Sequence, residues 1–370
     1  LSIMTVRKFL PAAKPHMLSN TLPAPSTTTA DGDTTARWPL TNSGFHMVDE
    51  FEFSNGERLK ELRLHYKTLG CLRRDSTGRA LNAVLIMHGT GGSSEQFLKD
   101  IFAGQLFNPG QPLDAQKYYV VLRDGVGHGQ SSKPSDGLRA RFPKYGYIDM
   151  VRADYELLNQ GLGVNHLRLV MGTSMGGMQS WLWGGMYPDF VDAVMPLASL
   201  PTQISGRNRM SRKMIIDAIQ TDPCYENGEY TEQPVHGLTS ALYTLTWMKS
   251  VPLLWQKLAP DQQSADEFLD RMIQNDLRHT DANDLLYQVA SSMDYDPRPL
   301  LTQITAPLVA INSADDQVNP PELRILEDSV KLLARGRSIV IPISDETRGH
   351  GTHTYAALWK HELLALLEAE

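Results

Sequence analysis

L-R-L-V-M-G-T-S-M-G-G-M-Q, Leu167 to Gln179, decides the reading of this chain. It runs from a short apolar strand through a turn open only to small residues and into a helix. Ser174 sits at the turn, within Gly172-Thr173-Ser174-Met175-Gly176, a G-x-S-x-G nucleophile elbow. A serine hydroxyl is a weak nucleophile, so it must project where a base can reach it. The helix behind it directs free backbone N–H groups at a developing negative charge. The pattern alone arises by chance in Gly- and Ser-rich loops. Its strand-turn-helix setting is what gives it weight.

Outward from the elbow, apolar runs and helical patterns alternate between about residues 82 and 200. Asn82 to Gly89 (N-A-V-L-I-M-H-G) and Tyr118 to Gly125 (Y-Y-V-V-L-R-D-G) read as buried strands. Ile148 to Leu162 has helical spacing, and Val191 to Leu200 supplies another strand. This alternation implies a mainly parallel sheet covered on both faces. Before it, two alternating segments flank Asn55-Gly56, the signature of an antiparallel hairpin. From Pro201 to about Leu300 no buried strand is evident and the patterns are helical, as in a cap over a site. The sheet resumes at Ala306 to Ser313 and Arg337 to Ser344, and a closing helix is expected over about Tyr355 to Leu367.

The expected organisation is therefore a flexible arm over 1–43, rich in Ser, Thr, Pro and Asn towards its end, then a first core segment over 44–200. A helical lid follows over 201–300, and a second core segment over 301–370.

The 370 residues carry 35 basic and 42 acidic side chains, a net charge of −7, and no basic tract that would suit a nucleic acid. No apolar run is long enough to span a bilayer. Cys71 and Cys224 form no disulfide framework and read as incidental or structural thiols. They fit a reducing compartment such as the cytoplasm. The first residues are interrupted by Arg7, Lys8 and Pro11 and make a poor secretory signal, with a processed exported form as the alternative.

Candidate partners for Ser174 stand after later strands. Asp315 and Asp316 follow Ala306–Ser313; Asp316 is preferred because it precedes Pro320 by four residues, leaving Asp315 a solvated neighbour. His350 follows Gly349 in the loop after the last strand and is preferred as base over His353, which begins to enter the helix. The order Ser…Asp…His at strand carboxyl ends suits acyl transfer, with the serine attacking a carbonyl, the histidine moving the proton and the aspartate orienting the imidazole. The N–H groups of Thr90, in His88-Gly89-Thr90-Gly91-Gly92, and of Met175 are the candidate oxyanion donors. H-G-T-H lacks the glutamate of H-E-x-x-H, so no metal is expected. His128 reads first as a structural loop histidine, with substrate contact as the alternative. Arg207, Arg209, Arg212 and Lys213 could hold an anion but read first as a solvated helix face. Trp181, Trp183 and Trp247 read as core or lid packing.

With these residues located, the chain resembles the homoserine O-acetyltransferase family of the α/β-hydrolase superfamily over most of 45–370. The specific segments are G-T-S-M-G-G-M-Q followed by Y-P-D-F-V, Asn208, D-A-I with Asp222-Pro223, and D-A-N-D-L-L-Y-Q-V-A-S-S-M-D-Y-D from Asp281. The resemblance implies an α/β-hydrolase fold, a helical lid insertion, a homodimer through that lid and a seryl-acyl enzyme. It matches Ser174, Asp316 and His350 to the triad, and Thr90 and Met175 to the oxyanion donors. Departures are equally specific. Gly351 stands where the family's acetyltransferases carry an aspartate directly after the catalytic histidine. G-H-G-Q-S-S-K-P replaces their G-S-T-G-P-S-S loop, and Arg278 is separated from D-A-N by an intervening His-Thr.

The expected function is a cofactor-free serine hydrolase acting on a small-molecule ester or related acyl bond. The alternatives are an O-acyltransferase with acetyl-CoA as co-substrate and a non-catalytic binding protein on this fold.

Overall fold

The computed structural model describes residues 40–369. The expected arm over 1–43 lies almost wholly outside the described residues. Its last residues belong to β1 (Leu40–Glu52), which pairs antiparallel with β2 (Arg58–Leu69).

The central element is an eight-stranded sheet in the order β1-β2-β4-β3-β5-β6-β7-β8. Its remaining strands are β3 (Ala83–Met87), β4 (Tyr119–Arg123), β5 (Leu169–Thr173), β6 (Val194–Leu197), β7 (Leu308–Ser313) and β8 (Gly336–Ile341). From β4 across to β8 every pairing is parallel, while β2 meets β4 antiparallel. The order reverses around β3, so β3 and β5 occupy the centre and their carboxyl ends open side by side.

Strand periodicity divides the core in two. Along β3, Leu85 and Met87 point into one apolar cluster and Val84 and Ile86 into the other. Of the helices, α1 (Ala103–Leu106) and α10 (Lys360–Glu368) cover the second cluster through Leu106, Leu363 and Leu366. On the other face lie α2 (Tyr147–Glu156) and α3 (Met175–Met186), with Trp181 and Trp183 wholly buried. The expected helix up to Leu162 ends instead in a single π-helical turn, Leu157–Gly161. The closing helix starts later than its apolar spacing suggests, because residues 349–358 form tight 3₁₀ turns around the histidine loop.

Between β6 and β7 the chain builds α4 (Gly206–Gln220), α5 (Val235–Met248), α6 (Pro252–Leu258), α7 (Gln262–His279) and α8 (Ala282–Ala290). All five lie between residues 201 and 300. Asp261 and Asp281 cap α7 and α8 by accepting hydrogen bonds from Ser264 and Asp284 N–H. A short helix, α9 (Ile325–Ser329), separates β7 from β8. No helix among the described residues is long and apolar enough to cross a membrane.

Candidate active site

β5 delivers Ser174 to the carboxyl edge of the sheet in a conformation few side chains adopt, φ 55° and ψ −110°. Strain of this kind is held only where the surroundings over-determine it. Here Ser174 N–H donates to Leu197 O at 2.9 Å, and Gly176 N–H donates to His88 O at 3.0 Å. The elbow glycines permit the approach. A Cβ on Gly176 would stand 2.0 Å from Met87 O, and one on Gly172 would stand 2.3 Å from the Gly176 backbone.

The structure brings three of the sequence candidates into one line. Ser174 Oγ lies 2.8 Å from His350 Nε2, and His350 Nδ1 lies 2.9 Å from Asp316 Oδ2. With the proton on Nδ1, the imidazole donates to the carboxylate and accepts from the serine hydroxyl. Asp316 is buried beyond β7, and its other contacts are all donors: Val318 N–H at 2.7 Å, Asn319 N–H at 3.1 Å and the Asn319 amide at 3.2 Å. Burial pushes its carboxyl pKa up, but the adjacent His350 and these donors outweigh burial and hold it below the usual carboxylate value.

His353 takes no part in that line. Its ring stands nearly perpendicular to His350, 5.4 Å between centroids, and its Nδ1 is buried without a hydrogen-bond partner. Burial, then the neighbouring His350, lower its pKa to about 3, so it stays neutral. Asp315 is not the solvated neighbour its sequence position suggests. Its carboxylate accepts from Gly349 N–H at 3.0 Å and from Ser313 Oγ.

Above Ser174 is a cavity of about 140 Å³. Gly89 and Thr90 border it from the loop after β3, and Arg212, Leu245, Met248 and Val289 border it from the inserted helices. Met175 opens α3, so its N–H has no acceptor within the helix. Gln96, overlooked in the sequence, also lines the cavity. Its amide donates to Thr173 Oγ1 at 2.8 Å and accepts from Gly89 N–H at 3.4 Å.

The other candidates are dispersed. His128 is fully buried against His88, with Nδ1 3.0 Å from Val126 O, and it does not border the cavity. Arg207 is exposed and donates to Gln317 O. Arg209 is half-buried and Lys213 pairs with Asp217 on the outer face of α4. Arg212 departs from the solvated face expected for it: it is 6% exposed and borders the cavity. Its i, i+3, i+7 spacing with the buried Ile215 and Ile219 was the available signal. Trp247 departs too, being 74% exposed. It borders a larger apolar groove of about 890 Å³ on the inserted helices, with Met214, Trp255 and Phe268, which contains none of the three aligned residues. Cys71 and Cys224 are exposed free thiols. Among the described residues no group of three His, Cys, Asp or Glu side chains is placed to hold a metal ion.

A family model described as alpha/beta hydrolase fold matches residues 82–345. A homoserine O-acetyltransferase of Geobacter sulfurreducens is 29% identical over 356 residues, covering 85% of this chain and 92% of its own. The crystal structure of a homoserine O-acetyltransferase from Bacillus anthracis is similar with a TM-score of 0.78 at 21% identity, over 89% of this chain and 98% of that one. An acetylester hydrolase from Corynebacterium glutamicum reaches a TM-score of 0.76 at 22% identity, over 89% and 96%. At such identities the solved structures speak to the fold alone.

Proposed function

Because this chain belongs to the alpha/beta hydrolase fold family, we propose that it hydrolyses a carboxylic ester through an acyl-enzyme on Ser174. The observation that carries the reading is the unbroken line from Ser174 Oγ through His350 to Asp316, at 2.8 and 2.9 Å.

In this mechanism Ser174 Oγ attacks the ester carbonyl as its proton passes to His350 Nε2. The imidazolium that forms is stabilised by the ionised Asp316, which keeps its own charge. The oxyanion is met by the N–H groups of Thr90 and Met175. His350 then protonates the departing alcohol, leaving the acyl group on Ser174. Water, deprotonated by His350, attacks that acyl group, and Ser174 Oγ leaves with the returned proton. Overall, ester and water become carboxylic acid and alcohol.

The 140 Å³ cavity favours a short acyl group. Thr90 on one wall and the helices of 201–300 on the other would exclude bulk water, the role we assign to that segment as a lid. The exposed Met210, Met214, Trp247 and Leu253 on its outer side favour a homodimer through the lid. Sedimentation of wild type and Trp247→Glu tests that: a dimer reduced to monomer is expected.

Transfer of the acyl group to an alcohol is the second reading, with acetyl-CoA as donor and no bound cofactor. It is favoured by the name of the Geobacter sulfurreducens relative. Gly351 after His350 weighs towards water, since no carboxylate stands there to hold an amino alcohol. Two measurements separate the readings. Wild type should release p-nitrophenol from p-nitrophenyl acetate, and Ser174→Ala should not. Acetyl-CoA with homoserine should yield CoA no faster than acetyl-CoA alone; acceleration with the acetylated alcohol as product would reverse the choice.

A further inference from the structure

We propose that the ester taken at Ser174 carries a carboxylate on its alcohol portion and no ammonium group. The proposal rests on the reading of Ser174 as the acylated nucleophile and goes beyond it to the charge of the substrate.

Arg212 on α4 is more than nine-tenths buried, yet borders the cavity over Ser174. Its contacts are neutral. Nε donates to Asn208 Oδ1 at 3.0 Å, and Nη1 to Ser292 Oγ at 3.1 Å and Val289 O at 3.4 Å. Among the described residues no carboxylate stands at ion-pair distance from it. A guanidinium does not shed its charge on burial, and its five donors exceed these three acceptors. A buried charge without a counter-charge is expensive, and such a residue in a cavity signals that the counter-charge arrives with a ligand.

Three further observations point the same way. Lys249, directly after α5, borders the same cavity. Asp276 draws on it only from beyond ion-pair distance, so it too has no carboxylate in direct contact. The cavity wall contains no Asp or Glu at all among the described residues. Lastly, Thr90 Oγ1 and Tyr147 Oη are buried close to one another, and Tyr147 close to Arg212, with no well-formed hydrogen bond to either hydroxyl. Surplus donors of an arginine fork, a nearby ammonium and buried hydroxyls beside them together suit a planar carboxylate. A substrate ammonium would meet two cations and no anion, so the same wall that attracts a hydroxy-acid ester disfavours an amino-acid ester.

The probes are 4-acetoxybutyrate, its neutral methyl ester, and O-acetylhomoserine, which is 4-acetoxybutyrate with an added α-ammonium. Acetate release is followed for each. A charge-assisted contact of ordinary strength predicts kcat/KM for 4-acetoxybutyrate about tenfold or more above both others. Lys249→Glu, at a solvent-exposed side chain on the cavity's edge, should cut the anion-to-neutral ratio by about tenfold. Arg212→Gln should cut it further if that variant folds. If wild type turns over p-nitrophenyl acetate but shows an anion-to-neutral ratio near one, or if O-acetylhomoserine matches 4-acetoxybutyrate, this inference is overturned while the hydrolase reading stands. If p-nitrophenyl acetate is not turned over, the hydrolase reading fails and takes the inference with it.

Discussion

Asp315 and Gly349 are tied across the sheet edge: the Asp315 carboxylate accepts from Gly349 N–H at 3.0 Å while the next residue, Asp316, accepts from His350 Nδ1 at 2.9 Å. Two consecutive aspartates thus hold two consecutive residues of the histidine loop, one by its backbone and one by its ring. Their substitutions should separate. Asp316→Asn is expected to lower kcat by about 10³–10⁴-fold, because the neutral amide favours the wrong imidazole tautomer and no longer stabilises the imidazolium. Asp315→Asn leaves the ring pair intact and should cost about tenfold, through misplacement of the loop. Steady-state kinetics on p-nitrophenyl acetate compare them, and equal losses would refute the division of labour.

The two histidines should divide just as clearly. His350→Gln is expected to abolish turnover to within about 10³-fold of the uncatalysed rate. His353→Gln should change kcat by less than about tenfold, since its ring lies outside the Ser174–Asp316 line. Labelling of Ser174 by a fluorophosphonate gives an independent reading: slow in the first variant, near wild type in the second.

Gln96 links the two loops to which the proposed oxyanion donors belong, because it bonds Thr173 beside Ser174 and Gly89 beside Thr90. Gln96→Leu should lower kcat by about tenfold with KM little changed, as a small displacement of one donor weakens transition-state binding. Thr173→Val removes the same tie from its other end, so the double variant should be no slower than the slower single one. Additive losses would show that Gln96 acts elsewhere.

Stability should carry the mark of a buried neutral histidine. Burial, with the nearby Arg123, lowers the His128 pKa to about 4 against an ordinary 6.5. Below pH 6.5 the unfolded chain binds a proton there that the folded chain refuses, so stability is lost as pH falls towards 4, by up to about 3 kcal/mol. Asp154 and Asp284, raised by burial to about 6, act oppositely over the same window, since the folded state protonates them first. The difference between wild type and His128→Asn isolates the histidine. Chemical denaturation at pH 7 and pH 4.5 should show a smaller acid loss in the variant, and parallel losses would contradict the assignment.

The elbow should tolerate no added atom. Gly176→Ala places a methyl 2.0 Å from Met87 O, inside rigid strand backbone. A loss of about 3 kcal/mol or more is expected, with a matching fall in thermal midpoint. A variant of wild-type stability would mean that α3 can move away from β3.

By itself the sequence determined the sheet-and-insertion plan and the place of Ser174 at its bend. Those features are written in local chemistry: uninterrupted apolar runs for strands buried on both faces, glycines where backbones close up, and a serine at the bend between Thr173 and Met175. The hairpin around Asn55-Gly56 and the helices after Pro201 were legible for the same reason. The tertiary structure alone decided which of two adjacent aspartates faces the imidazole and which of two nearby histidines faces Ser174. It also turned Arg212 inwards, left Trp247 outside and set Gln96 between two loops. Each of those outcomes depends on which way a side chain points after segments distant in sequence have packed, from 34 residues apart for Asp316 and His350 to 176 for Ser174 and His350. Spacing along the chain carries the period of a helix or strand, but an orientation of this kind is fixed by partners from elsewhere in the fold.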